Sequence, residues 1–163
     1  KLSIRDLEQY KGIGSAKAIT ILAACELGKR RQKATVEEAP ILNSAENIYQ
    51  FMHTTIQDLD IEEGWVLMMK QNFRLIEAKR ISVGGLTMAP VDLRLMMKEV
   101  LLKNTTVLAF CHNHPSGSTN PSRDDDILTS HIHKACELLH IHFADHVILT
   151  DGGYFSYREE GKL

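Results

Sequence analysis

The chain has 163 residues, of which 44% are hydrophobic and 25% charged, a composition typical of a globular domain with one core. It contains no apolar run near the roughly 18 residues that a membrane span needs, no signal-peptide pattern, and only scattered cysteines. These features exclude a membrane protein and a disulfide-rich secreted protein, and they favour a cytoplasmic one. Because the chain lacks an initiator methionine and opens inside a predicted helix, we expect a fragment of a longer protein.

The formal net charge of −2 conceals a basic N-terminal segment. Residues 1–33 contain eight lysines and arginines and three acidic residues, a net charge of +5. The remaining 130 residues carry 11 basic and 18 acidic side chains, a net charge of −7. A solvated charged surface is the ordinary explanation of such a segment, and contact with a polyanion is the alternative.

The basic segment predicts two helices. Ser3 and Asp6 form the pattern of a capping box, which predicts a short helix over 3–10. The sequence KGIG at 11–14 predicts a turn, and a second helix follows over 15–31. The apolar side chains of this second helix fall along one side, at Ala18, Ile21, Leu22 and Cys25.

Residues 43–163 predict strands mixed with helices, after a polar linker at 34–42. The first predicted element is a helix from Ser44, with a buried face at Ile48, Phe51, Met52 and Ile56. A hairpin of strands 64–70 and 74–84, a helix from Pro90 and a strand at 106–112 follow. The last elements are a helix from Ser122 to about His140 and a hairpin of strands 145–150 and 154–159. Hairpins at both ends with helices between them favour an α+β or mixed α/β fold, in which helices sandwich a β-sheet.

The stretch HNHPSGSTNPSRDD at 112–125 follows an apolar strand and is too rich in proline and glycine to be mostly regular structure. His112 and His114 lie two residues apart, so their imidazoles project to the same side if the strand stays extended to its end. The same alternation directs Cys111 to the opposite side. A His-x-His pair also occurs often by chance, so the pair alone leaves a metal site and an ordinary loop open.

Asp125 lies on the apolar face of the following helix, three residues after Ser122. Other residues on this face are Leu128, Ile132, Cys136 and Leu139. An ionised carboxylate buried there is costly unless it is paired or binds a metal. Two imidazoles and one carboxylate leave a tetrahedral zinc ion one open position, as in catalytic zinc sites. The alternative is a plain capping box formed by Ser122 and Asp125 at the helix start.

This stretch matches the JAMM signature of the JAB/MPN metalloproteases, which is His-x-His-Pro, a short spacer and Ser-x-x-Asp. With ADHVIL and GYFSYREEG further along, it resembles the bacterial RadC family from about residue 40 to the end. The resemblance implies a JAB/MPN, cytidine-deaminase-like fold over 43–163. It also implies one Zn²⁺ per chain, bound by His112, His114 and Asp125.

The resemblance further implies zinc-dependent hydrolysis of a peptide or isopeptide bond, in a family historically linked to DNA repair. Aligning the first strand places Glu62 on the family's proton-shuttle position, with Glu63 one step further along; both could also simply begin a strand in solvent. Ser122 would help to hold the tetrahedral intermediate. Asp145 and His146 resemble a recurrent family pair, for which we expect a structural hydrogen bond. The sequence identifies neither the peptide or protein substrate nor the oligomeric state.

Residues 1–33 resemble part of a helix-hairpin-helix, which RadC members carry ahead of the catalytic domain. Gly12 and Gly14 would let backbone N–H groups approach a phosphate near Lys17, and such contacts bind DNA without reading its sequence. Two alternatives to a peptidase therefore stay open. One is a DNA-binding repair or recombination accessory protein whose zinc site is structural or vestigial, and the other is a metal-dependent nuclease.

Overall fold

The structure, a computed structural model, describes residues 3–33, 39–84 and 91–163. The chain divides into two units, Lys1–Glu38 and Ala39–Leu163. Over the described parts of both units, no helix combines the length and the apolar character that a membrane crossing requires.

The first unit contains helices α1 (Ile4–Glu8) and α2 (Ser15–Lys33). The predicted capping box is present at the start of α1, because the Ser3 hydroxyl accepts a hydrogen bond from the Asp6 backbone N–H. The Asp6 carboxylate accepts one in return from the Ser3 backbone N–H at 2.7 Å. These bonds satisfy two N–H groups that the helix itself leaves without partners.

The apolar face predicted for α2 is buried only in part. Ala18 is fully buried, whereas Ile21 and Cys25 are exposed and Leu22 is half-buried. Apolar residues on its other sides, Ile19 and Leu27, are exposed as well, so the apolar residues of α2 do not form one distinct face.

The second unit is built on a five-stranded sheet with the strand order β2-β1-β3-β4-β5. The strands are β1 (Glu63–Met69), β2 (Leu75–Val83), β3 (Val107–Asn113), β4 (His142–Thr150) and β5 (Gly153–Ser156). Strand β1 is antiparallel to both β2 and β3, β3 is parallel to β4, and β4 is antiparallel to β5. The two predicted hairpins are therefore confirmed, and the parallel β3–β4 pair makes the sheet mixed.

Helices cover both faces of this sheet, as predicted. Helix α3 (Ala45–Ile56) packs on one face, and α4 (Leu93–Leu102) and α5 (Arg123–Leu138) pack on the other. The alternation of strand β3 divides its side chains between the two cores: Ala109 and Cys111 contact the α3 side, and Leu108 and Phe110 the α4–α5 side. Every residue of β3 is buried, which explains its nearly continuous apolar sequence.

Two helix boundaries differ from the prediction. The helix expected from Pro90, which lies outside the described residues, begins at Leu93 with Asp92 as its N-cap. The long helix α5 ends at Leu138 rather than at His140, because His140 adopts a φ of +55°, which no right-handed helix can continue.

The structure describes only the second part of the predicted linker at 34–42. Residues 34–38 lie outside the described residues, whereas the remainder pairs with the turn between β1 and β2. The Leu42 N–H donates to the Phe73 carbonyl, and the Leu75 N–H donates to the Pro40 carbonyl, both at 2.9 Å. These hydrogen bonds attach the start of the second unit to its sheet.

Candidate metal centre

His112 and His114 lie at the carboxyl end of the central strand β3. Pairing with β4 continues past the end of the strand, because the His114 N–H donates to the Leu149 carbonyl at 2.9 Å. The chain therefore stays extended through both histidines, and their imidazoles project to the same side as predicted. Their Nε2 atoms lie 2.9 Å apart. Cys111 lies in the opposite core, with α3.

Asp125 approaches the two imidazoles from the first turn of α5. Ser122 is the N-cap, and its hydroxyl and its backbone N–H both donate to Asp125 Oδ2 at 2.7 Å. Because Oδ2 is held in this way, Oδ1 is directed towards His112 and lies 3.2 Å from its Nε2. The capping box and the cluster with the histidines, which the sequence left as alternatives, are thus both present.

The three side chains fit a divalent metal ion. One ligand atom from each of His112, His114 and Asp125 lies within 4.8 Å of the others. In a tetrahedral site with metal–ligand distances of about 2.0–2.1 Å, two ligand atoms are about 3.3 Å apart. Here the two Nε2 atoms are 2.9 Å apart, His112 Nε2 lies 3.2 Å from Asp125 Oδ1, and His114 Nε2 lies 3.8 Å from the other carboxylate oxygen, Oδ2. Imidazole nitrogens with one carboxylate oxygen are also the donor set of many catalytic metal sites.

The buried face of α5 differs in detail from the prediction. Asp125, Ile132 and Cys136 are buried as expected, but Leu139 follows the end of the helix and is exposed. Thr129 takes part in the buried face instead, one turn after Asp125. Thr129 stands four residues after Asp125, a helical spacing that places it on the same face. We did not assign it there because its side chain is polar.

The electrostatic surroundings keep Asp125 ionised and disfavour a charged His146. Burial opposes ionisation of Asp125, but hydrogen bonds from His112 and Ser122 outweigh burial and hold its pKa well below the usual range. Complete burial lowers the pKa of His146 well below its ordinary value, and the nearby His112 lowers it further. An ionised carboxylate is the form in which Asp125 can bind a metal ion.

Each histidine of the cluster also has a partner on its other ring nitrogen. His114 Nδ1 lies 2.7 Å from the Ser118 carbonyl oxygen. Because a carbonyl can only accept, Nδ1 donates this hydrogen bond, and Nε2 faces the cluster. His112 Nδ1 lies 2.9 Å from Nε2 of the fully buried His146, whose ring stacks on that of Tyr157 at 4.8 Å.

Asp145 and His146 form hydrogen bonds with different partners. The Asp145 carboxylate accepts hydrogen bonds from the Ser156 hydroxyl and the Arg158 backbone N–H, at 2.5 and 3.1 Å. These bonds tie β4 to the end of the chain, so Asp145 has the structural role that we expected. His146 faces the cluster instead.

The structure brings Glu62 close to the cluster and directs Glu63 elsewhere. Glu62 Oε1 lies 4.0 Å from His112 Nε2, and the side chain is 27% exposed. The Glu63 carboxylate accepts hydrogen bonds from Trp65 Nε1 at 3.1 Å and from Arg80 Nη1 at 2.5 Å. The position of Glu62 agrees with the alignment, and its part in proton transfer stays a prediction.

Asn113, the residue between the two histidines, holds the backbone that carries Glu62. Its Oδ1 accepts a hydrogen bond from the Glu63 N–H at 2.7 Å, and its Nδ2 donates to the Ile61 carbonyl at 2.9 Å. Glu62 is therefore fixed from both sides. We did not assign Asn113 from the sequence, although a polar amide at the end of a buried strand needs partners and was a usable signal.

A cleft of about 480 Å³ adjoins the cluster at Asn113 and His114. Its walls come from the segments that follow α3, β3 and β4, and they include the acidic residues Asp58, Asp60 and Asp151. The half-buried His114 is therefore reachable from solvent through an open, polar groove.

The residues predicted to contact DNA lie in the turn between α1 and α2. Gly12 has a φ of +89°, which glycine adopts readily and other residues do not. The Lys17 amine donates to the Gly12 carbonyl at 2.9 Å, which closes the turn on itself. The DNA contacts of Gly12, Gly14 and Lys17 stay a prediction.

Known proteins resemble the chain over most of its length. A family model described as "RadC-like JAB domain" matches residues 42–162. A UPF0758 protein of Flavobacterium johnsoniae is 38% identical over 161 residues, which are 99% of this chain and 70% of the relative. UPF0758 proteins of Porphyromonas gingivalis and Rubrobacter xylanophilus are 34% and 37% identical, over 73% and 70% of their lengths and 100% and 99% of this chain. The chain therefore belongs to the RadC family, and residues 42–162 form its JAB domain.

Proposed function

We propose that the protein is a zinc-dependent hydrolase of the JAMM type that cleaves a peptide or isopeptide bond. One observation carries the proposal: the Nε2 atoms of His112 and His114 and Oδ1 of Asp125 converge at the end of a strand, with Glu62 Oε1 4.0 Å from His112 Nε2. Ligands and a free carboxylate of this kind are what metal-assisted hydrolysis requires.

The three residues of the cluster would hold the metal, and three protein ligands leave a coordination position open, as catalytic zinc sites do. When bound, Zn²⁺ supplies Lewis acidity and lowers the pKa of a bound water to about 7. The carbonyl of Ser118 and the imidazole of His146 would keep the ligand rings in place.

Glu62 would carry the proton. Its partly exposed carboxylate can take a proton from the attacking water and later return it to the leaving amine, and such general acid–base groups contribute about 10² to 10⁴ in rate. Ser122 would stabilise the developing oxyanion. Since its hydroxyl donates to Asp125 Oδ2 in the resting arrangement, that hydrogen bond must be exchanged for one to the substrate.

Elemental analysis of protein purified without chelator tests the metal site. We expect about one zinc per chain and strong depletion in Asp125→Ala. Asp124→Ala is the matched control, because Asp124 is an exposed neighbour in the same helical turn and should keep its zinc. Full zinc occupancy in Asp125→Ala would contradict the ligand assignment. A peptide-library cleavage screen then tests the activity, and cleavage of DNA in place of peptides would favour the nuclease.

We also propose that the first unit contacts DNA through its glycine turn. The net charge of +5 over residues 1–33 and the place of Lys17 beside the glycine turn support a phosphate contact there. DNA binding by a protein that binds zinc but cleaves nothing would favour the accessory role.

The free cysteines Cys25, Cys111 and Cys136 support a reducing compartment such as the cytoplasm.

A further inference from the structure

We infer that Asn113 is a positioning residue for Glu62. Its side chain takes the place of a neighbouring strand where the pairing of β1 with β3 stops, and it thereby holds the Glu62 carboxylate beside the metal centre. The inference rests on the proposed function, in which Glu62 moves protons at that centre. It adds a residue that acts on the rate through another side chain and not through a contact of its own with the metal or the substrate.

The backbone ladder between β1 and β3 stops just before the segment that carries Glu62. Its pairs run from Met69 with Val107 to Gly64 with His112, and the ladder goes no further along β1. Strand β3 itself continues, because its next residue, Asn113, pairs with Leu149 of β4. The edge of β1 that faces β3 is therefore left with the peptide groups on either side of Glu62 to be satisfied.

The Asn113 side chain satisfies both of these peptide groups. Its Oδ1 accepts from the Glu63 N–H at 2.7 Å, and its Nδ2 donates to the Ile61 carbonyl at 2.9 Å. A backbone N–H can only donate and a carbonyl can only accept, so the two contacts determine which way the amide is turned. One donor and one acceptor are also what a residue of a neighbouring antiparallel strand would offer. Asn113 is buried, so water does not readily replace it.

The direction of the Glu62 side chain follows from the backbone that is held in this way. On its other edge the segment is fixed by the Gly84 N–H, which donates to the Glu62 carbonyl at 2.7 Å. In an extended backbone successive side chains alternate, so Glu63 lies on the face of Trp65 and Glu62 lies on the face of His112. Without Asn113 only the Gly84 contact would hold the Glu62 backbone, and the carboxylate would be free to shift.

The metal ligands themselves do not depend on the Asn113 side chain. Strand β4 holds the backbone of both histidines, through the pair of His112 with Ile148 and through the hydrogen bond from the His114 N–H to the Leu149 carbonyl. We therefore expect loss of the amide to leave the zinc site in place. A displacement of about 1 Å at a reacting group can cost about 10² in rate, which sets the expected effect of moving Glu62.

Three variants separate this role from a general one. Asn113→Ala removes both hydrogen bonds, and Asn113→Ser leaves a hydroxyl too short to bridge the two peptide groups. Asn120→Ala is the matched control, because it removes an exposed amide from the loop that follows β3. Zinc content and circular dichroism are measured on each protein before any comparison.

The first readout is hydrogen exchange of the Glu63 backbone N–H, followed in ¹H–¹⁵N correlation spectra. It requires neither a substrate nor bound zinc. An ordinary hydrogen bond is equivalent to roughly two- to tenfold in an opening equilibrium, so we expect exchange to be faster by about that factor in Asn113→Ala and Asn113→Ser. In Asn120→Ala the exchange should match that of the wild type.

The second readout is a double-mutant cycle with Glu62→Gln, on the zinc-loaded proteins and a peptide that the cleavage screen provides. Asn113→Ala should lower kcat and kcat/KM together by about 10², because a group that acts only in the transition state affects both equally. In the Glu62→Gln background the same change should have less than about a threefold effect, because the carboxylate that it displaces is already gone. A residue that acted on the metal ligands would cost the same in both backgrounds.

Each readout can overturn the inference. Unchanged exchange of the Glu63 N–H in folded Asn113→Ala would show that the amide does not hold this segment. Equal losses of rate in the two backgrounds, or loss of zinc from Asn113→Ala under conditions that fill the wild type, would assign Asn113 to the ligands instead. If Asn113→Ala does not fold, Asn113→Ser takes its place and the same outcomes decide. If the wild type cleaves no peptide, the proposed function fails, and Glu63 exchange alone decides whether Asn113 holds the Glu62 segment.

Discussion

Replacing Glu62 by glutamine removes a carboxylate that can carry a proton, and the adjacent Glu63 supplies the matched control. The two substitutions are chemically identical and one residue apart, but the surroundings differ. The Glu62 carboxylate is partly exposed and lies 4.0 Å from His112 Nε2, beyond hydrogen-bond distance. The Glu63 carboxylate is nearly buried and accepts hydrogen bonds from Trp65 and Arg80.

These contacts set opposite expectations for stability and rate. Glu62→Gln should change the free energy of unfolding by less than about 0.5 kcal/mol, as for other surface substitutions, and should lower the rate of hydrolysis by about 10² to 10⁴. Glu63→Gln loses charge-assisted hydrogen bonds worth about 1.5–3 kcal/mol, at the lower end because Arg80 is half exposed and stays hydrated. For a domain of this size, a loss of about 1.5 kcal/mol is roughly 3–6 °C in Tm.

The measurements are thermal unfolding, zinc content, and hydrolysis of whichever peptide substrate the screen provides. Glu62→Gln should keep its Tm and its zinc and lose activity, while Glu63→Gln should lose stability and keep a substantial rate at temperatures where it is folded. An inactive Glu63→Gln beside a normal Glu62→Gln would show that the first strand is assigned one residue out of register. If neither glutamate affects a confirmed cleavage, the JAMM mechanism does not apply to this chain.

Three further predictions follow from single contacts. Ser122→Ala should lower the free energy of unfolding by roughly 1 kcal/mol through the lost helix cap. At equal zinc content, a fall in hydrolysis rate larger than the change in Tm accounts for would measure its part at the oxyanion. We expect DNA binding to be indifferent to sequence and to fall steeply between about 50 and 200 mM salt, and we expect Lys17→Glu in the intact protein to weaken it. Binding that does not depend on salt would rule out a phosphate contact. In the native protein an alkylating reagent should modify the exposed Cys25 and spare the buried Cys111 and Cys136. The reason is that burial raises the pKa of the Cys111 thiol, and raises the pKa of the Cys136 thiol to about 12. Rapid alkylation of all three cysteines would contradict the described core.

The fold of the second unit follows from patterns that are local in the sequence. The continuous apolar run of β3 indicated a strand covered on both faces, and α3 showed its buried residues Ile48, Met52 and Ile56 at helical spacing. The start of α4 was less predictable. Pro90 suited a first helical turn, but Asp92 competes for the N-cap because its carboxylate can accept from the Arg94 N–H at 2.9 Å.

The residues of the candidate site also differ in whether nearby sequence could predict them. His112, His114 and Asp125 stand within one short stretch, so their spacing raised a metal site as one of two alternatives, and the resemblance to the JAMM signature implied that the three residues are its ligands. Thr129 and His146 come from α5 and β4, and Asn113 acts on a segment about fifty residues earlier in the chain. Their contacts depend on the order of the strands, which apolar periodicity does not determine.

Helix α2 shows that apolar residues at helical spacing do not by themselves establish a buried face. Its apolar residues recur at helical spacing, yet of the predicted face only Ala18 is fully buried among the described residues. Because Ile19 and Leu27 lie on its other sides, the spacing of the four predicted residues did not define a buried face.

The capping box at the start of α5 shows why a structural and a catalytic explanation of one motif need not compete. Ser122 ends the loop and starts the helix by accepting from the Asp125 N–H at 3.1 Å, and the same pair of residues holds Asp125 Oδ2 so that Oδ1 faces His112. A Ser-x-x-Asp sequence therefore both begins the helix and aims the carboxylate. Any loss of zinc in Ser122→Ala would measure this aiming, because the ligand itself would still be present. The capping box is thus part of the candidate metal centre, and its two hydrogen bonds to Oδ2 connect the stability of α5 to the geometry of the ligands.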